Sequence, residues 1–192
     1  MSRSISIYTF VLALALLGCA TVSNAQSNAQ ANLHAGHGGS IEDESLAAKV
    51  REATSIYRDI NRAIAAGYAQ FGGCVSGPEV GAMGVHYVNG SLVDGTLDIE
   101  HPEALIYEFK NGVARLVGVE FITPVPVWEA QHQDLPLLAG HHLQYFGAPN
   151  RYRLPALYEL HVWAWRDNPN GNYVDWNPRV SCEGGSPVSD GF

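Results

Sequence analysis

The stretch EALIYEFKNGVARLVGVEFI, Glu103 to Ile122, constrains the fold of this chain more than any other. Two runs rich in aliphatic, aromatic and β-branched residues flank Asn111-Gly112, a dipeptide that accepts the positive φ angles of a two-residue type I′ turn. A β-hairpin is therefore predicted. Pairing Lys110 with Val113 sets its register, with Glu108 opposite Arg115, Tyr107 opposite Leu116, Leu105 opposite Gly118 and Glu103 opposite Glu120. Strand alternation then puts Glu103, Leu105, Tyr107, Leu116, Gly118 and Glu120 on one face. Two carboxylates directly across a sheet repel each other. Relief requires water, a proton, a cation or a one-residue bulge.

Residues 1–25 read as a signal peptide: Arg3, an apolar run from Ile5 to Leu17, and the small residues Ser23-Asn24-Ala25 before Gln26. The run is too short to span a bilayer. Within it, Leu16-Leu17-Gly18-Cys19 also looks like a lipobox, in which Cys19 would carry a lipid anchor. Either way the chain is exported, to the periplasm, the outer membrane or the medium. Export gives meaning to Cys74 and Cys182, which are expected to form a disulfide in an oxidising compartment. The net charge of −8 argues against nucleic acid and against a polybasic membrane contact.

Residues 26–40 are polar and Gly-rich and read as a flexible linker, in which His34 and His37 could meet a metal ion without fixing its geometry. From Ile41 the pattern changes. Leu46, Val50, Ala53, Tyr57, Ile60, Ile64 and Tyr68 recur at spacings of three and four, predicting one amphipathic helix of about 25 residues that ends near Gly67. Phe71 to Ala82 is a Gly-rich connector. Met83 to Asn89 reads as a strand carrying His86, and LYELHVWAW, Leu157 to Trp165, as another with Glu159, His161, Trp163 and Trp165 on one side. Between them, Thr123 to Ala156 holds five prolines and no sustained period, and is expected to be a lid or rim. The stretch Asp167 to Tyr173 lacks the ligand order of a calcium loop and reads as a turn.

Four motifs carry a resemblance: GAMGVHY (Gly81 to Tyr87), HPEALIYE (His101 to Glu108), LVGVEFI (Leu116 to Ile122), and LHVWAWRDNP with DWNPRVSC (Leu160 to Cys182). Together they resemble a family of exported bacterial proteins of unassigned function. The resemblance spans about Ala65 to Cys182 and implies a domain over that region.

The expected architecture is a single α+β domain over 41–183, with a long N-terminal helix packed on a curved, mainly antiparallel sheet or partial barrel. A loose tail, 184–192, follows. His86, Glu103, Glu120 and His161 lie on the best-defined strands and could converge as ligands for one divalent transition metal: zinc, copper, iron or manganese. A cation would also relieve the Glu103/Glu120 repulsion. The structural alternative is a Glu120 paired with Arg151 or Arg153. Two further classes remain open: a binding module for an apolar or sugar-like ligand, lined by Tyr107, Trp128, Trp163 and Trp165, and an envelope interaction protein without catalysis. Ser76 lacks a nucleophile elbow, and no phosphate-binding glycine loop precedes a helix.

Overall fold

The computed structural model describes residues 41–150 and 152–184, with side chains from Leu46 onward. The expected signal peptide with Cys19, the expected linker with His34 and His37, Arg151 and the tail beyond Gly184 lie outside the described residues. The chain is mainly β. Six strands, β1 (Ala69–Gly77), β2 (Gly81–Val88), β3 (Ala104–Lys110), β4 (Val113–Pro124), β7 (Gln144–Phe146) and β8 (Leu157–Val162), form a curled antiparallel half-barrel in the order β1-β2-β3-β4-β8-β7. A small hairpin, β5 (Leu137–Leu138) with β6 (His141–His142), stands apart from this sheet.

The expected long helix is not present, and the α+β assignment is corrected accordingly. In its place are α1 (Ile41–Ala53), a 3-10 turn (Ser55–Arg58) and α2 (Ile60–Ala65). Local chemistry breaks the helix. The Thr54 hydroxyl donates to the Val50 carbonyl at 2.6 Å, and Asp59 adopts an extended conformation in which its side chain accepts from Asn61 N and caps α2. Tertiary contacts hold the break in place: the Tyr107 hydroxyl donates to the Tyr57 carbonyl at 2.6 Å, and the Trp165 indole donates to Thr54 Oγ1 at 3.0 Å. The apolar stripe loses its register at this point. Leu46 and Val50 are fully buried, whereas Ile64 is 53% exposed and its neighbour Ala63 takes the core position.

The β3–β4 hairpin forms around Asn111 and Gly112, both at positive φ (53° and 75°), as a type I′ turn requires. Lys110/Val113, Glu108/Arg115 and Tyr107/Leu116 pair as the turn dictates. The register then shifts. Ile106 pairs with Gly118, Leu105 with Val119 and Ala104 with Glu120, which leaves Val117 as an extra residue in β4. The Val117 carbonyl is taken up by Trp165 N at 3.1 Å, and its side chain is buried with Ile106 and Trp163. A bulge of one residue exchanges faces. Leu105, Tyr107, Leu116, Val119 and Phe121 therefore turn towards α1 and bury Leu46 and Val50 in the main core. Glu120 turns to the opposite, concave face.

Three other expectations change. The Gly-rich connector contains β1, which pairs irregularly along β2. The segment from Thr123 to Ala156 is structured, with α3 (Val125–Gln131), the small hairpin, and β7 at the sheet edge. Strand β8 ends at Val162: Trp163 keeps the side of His161, in a second cluster with Ile106 and Val117, whereas Trp165 turns to the helix side. Cys74 and Cys182 form the expected disulfide, across a separation of 108 residues. No helix among the described residues is long and apolar enough to cross a membrane.

Candidate metal centre

The concave face is assembled across neighbouring strands. His86 on β2 pairs with Ile106 on β3, which pairs with Gly118 on β4; one step along, Ala104 pairs with Glu120, which pairs with His161 on β8. One further step along, Ile122 pairs with Glu159. Gly118 lets β4 pass close to the end of β8: a Cβ there would lie 2.9 Å from the Val162 carbonyl and 3.4 Å from the Trp163 ring.

The two Nε2 atoms stand 3.4 Å apart, with the rings perpendicular, and His86 Nε2 is 3.4 Å from Glu120 Oε2. His161 is 1% exposed, and its Nδ1 has no hydrogen-bond partner. The nearest carboxylate oxygens to that atom are Asp175 Oδ1 at 3.7 Å and Glu120 Oε1 at 3.9 Å. Nitrogen and oxygen ligands about 2.0–2.2 Å from a tetrahedral ion lie roughly 3.3–3.6 Å from one another. The observed separations sit near that spacing, and all except the His86–His161 pair are too long or too poorly placed to be hydrogen bonds.

Two groups of residues could each hold a metal ion: His86, Glu120 and His161, and Glu159, His161 and Asp175. Asp175 comes from the loop after β8. That loop is tied down by Trp163 Nε1 donating to the Val174 carbonyl at 2.6 Å, by Asn168 Nδ2 donating to the Trp176 carbonyl, and by a backbone bridge between Asn177 and Ala82. Gln144 on β7 donates to Asp175 Oδ1 at 3.2 Å.

Burial controls the charge state. It pushes the imidazole pKa of His86 down to about 3, with the neighbouring His161 adding to the shift, and that of His161 down to about 4. Glu120 is raised well above the usual carboxyl range, first by burial and then by Glu159, to which it is hydrogen-bonded. Burial lifts Glu159 to about 7, and lifts Asp175 as well. At neutral pH the imidazoles are uncharged with lone pairs available, and burial favours the protonated form of Glu120. The 3.4 Å His86–Glu120 contact is accordingly not an ion pair, because burial opposes both charges.

These groups open on a cavity of about 630 Å³ within the curl of the sheet. Its walls are mostly apolar, among them Phe71, Val75, Val88, Ile122, Phe146 and Leu157, and Asn150, Tyr152, Leu154 and Pro155 also line it. Among the described residues, no Lys or Arg lines it.

Of the four ligands read from the sequence, the structure brings together His86, Glu120 and His161. Glu103 is not with them, because the bulge at Val117 places it on the other face. There it is 1% exposed and accepts from Ile122 N at 3.0 Å. The bulge eases the Glu103/Glu120 repulsion by putting the two on opposite faces, and Glu103 is the last and smallest of the charges that raise Glu120. Nor do the expected pocket residues share a site. Tyr107 is buried in the main core. Trp128 stacks on His132 at 3.8 Å, Trp163 lies in the second cluster, and Trp165 lies beneath Arg58. Arg153 is exposed and forms no ion pair with Glu120 among the described residues.

Sequence reasoning missed Glu159 and Asp175 as members of the site. The alternation of β8 already put Glu159 on the face of His161, so that signal was present. For Asp175 there was none, since a loop carries no period. No protein-family model, curated protein or solved structure matches the chain.

Proposed function

We propose that this is an exported metal-binding protein in which His86, His161 and Glu120 hold one divalent transition metal (zinc, copper, iron or manganese) beside a cavity that admits an apolar small molecule. The observation that carries this reading is the spacing of His86 Nε2, which stands 3.4 Å from both His161 Nε2 and Glu120 Oε2 in a largely buried cluster with neutral imidazoles. That spacing matches ligands on one ion, and a bound cation would take up the lone pairs that burial keeps unprotonated. A divalent ion in this position supplies Lewis acidity to an oxygen or nitrogen donor entering the cavity. The chain's own contribution is to hold both imidazoles neutral, to orient His161 against Trp163, and to exclude water with the apolar walls. The resemblance to exported bacterial proteins and the disulfide both support an oxidising compartment.

Elemental analysis of protein purified without tag or chelator tests the reading, with His161→Ala as control. Stoichiometric metal in the wild type, lost in the variant, is expected. Metal-free wild type that also fails to take up zinc, copper, iron or manganese on reloading would overturn it.

The apolar walls favour a second reading, a small-molecule binding module without metal. In that case a neutral probe such as N-phenyl-1-naphthylamine should bind with an affinity unchanged by chelator. An affinity that follows metal content would instead join the cavity to the metal.

A further inference from the structure

The one-ion reading uses His86, His161 and Glu120 and leaves two half-buried carboxyls, those of Glu159 and Asp175, beside the same imidazole, Asp175 at its Nδ1 edge. We propose that His161 bridges two metal ions, with Nε2 facing the first beside His86 and Glu120, and Nδ1 facing a second held by Asp175 and Glu159. The proposal rests on the one-ion reading and extends it.

Three observations carry it. First, the two ring nitrogens of His161 face different partners: Nε2 looks across 3.4 Å to His86 Nε2, while Nδ1 looks to Asp175 Oδ1 at 3.7 Å. A histidine ligand that binds through one nitrogen normally donates its other N–H to an acceptor. Here that nitrogen is fully enclosed yet makes no hydrogen bond, and the Asp175 oxygen stands at nearly the separation of two ligands on one ion. Second, Glu120 offers a different oxygen to each side, Oε2 towards His86 and Oε1 towards Nδ1 of His161. Third, the charges match. Glu120, Glu159, Asp175 and a bridging imidazolate together carry four negative charges, which two divalent ions neutralise. One ion would draw on only part of that charge and leave the other carboxyls towards their protonated form, as burial already favours. Binding of the second ion displaces the Nδ1 proton to solvent together with any carboxyl protons.

The test is a zinc titration of the chelator-treated full chain, with bound metal counted after gel filtration. Saturation at two equivalents in the wild type, falling to one in Asp175→Asn and in Glu159→Gln, is expected. Asp175 is partly exposed, and retained thermal melting checks that its variant folds; should it not fold, Glu159→Gln decides. Saturation of the wild type at one equivalent would overturn the second site and leave the one-ion reading standing, whereas no binding would end both. Two equivalents persisting in both variants would refute the placement. Loading with copper(II) tests the bridge itself. Magnetic coupling through an imidazolate is expected to reduce the integrated electron paramagnetic resonance signal well below two spins per chain, and two full, independent spins would refute it.

Discussion

Replacing Glu103 with Gln should make the protein more stable at alkaline pH, although the residue is an almost fully enclosed hydrogen-bond acceptor. Burial pushes the Glu103 carboxyl from its ordinary 4.5 up to about 8, and the bond from Ile122 N opposes that shift only in part. The folded state therefore binds this proton more tightly than the unfolded state does. Below about pH 4.5 both states are protonated and the residue carries no penalty; as pH rises towards 8 the unfolded chain ionises first, and stability falls. Between pH 5 and pH 8 the loss from this one group is about 3–4 kcal/mol, taking 1.36 kcal/mol per pKa unit as the conversion. Gln keeps an oxygen for Ile122 N and has no proton to lose. Urea unfolding of chelator-treated protein with the disulfide intact, followed by tryptophan fluorescence at pH 5, 6, 7 and 8, measures the difference. The stability of Glu103→Gln relative to wild type should climb steadily across that range by a few kcal/mol. A difference constant to within about 1 kcal/mol would refute the reasoning and mean that water reaches the carboxylate.

Two further outcomes follow from the same contacts. The double variant Cys74→Ser/Cys182→Ser frees a loop closed over 108 residues, so chemical unfolding of oxidised wild type should exceed that of the variant by up to about 4–5 kcal/mol, and reductant should erase the gap. Thr54→Val removes the hydroxyl that donates to the Val50 carbonyl and accepts from the buried end of the Trp165 indole, and should lower stability by about 1–3 kcal/mol; thermal melting with no change would mean that water replaces the hydroxyl.

Much of the sheet was legible because its signals are local. Asn111-Gly112 dictates a turn through backbone sterics alone, and the first four cross-strand pairs follow from it. His86, Glu120 and His161 were each readable as strand residues on definable faces. The helix was misjudged because a stripe at spacings of three and four reports only apolar periodicity. It does not register the competition that Thr54 and Asp59 mount for the backbone, nor the carbonyl that Tyr107 requires of Tyr57.

By itself, then, the sequence determined the turn, the strands that bear both imidazoles, and the pairing of two cysteines. Only the tertiary structure decided which carboxylates meet those imidazoles. A single extra residue at Val117 sends Glu103 into the main core and Glu120 to the concave face, and nothing in the local pattern of LVGVEFI marks the bulge, which is held by the distant Trp165 amide. Asp175 reaches the site only because Trp163, Asn168 and Asn177 fold its loop back on the sheet. Face exchange and loop closure depend on partners far away in the chain, and a periodic pattern carries no information about them.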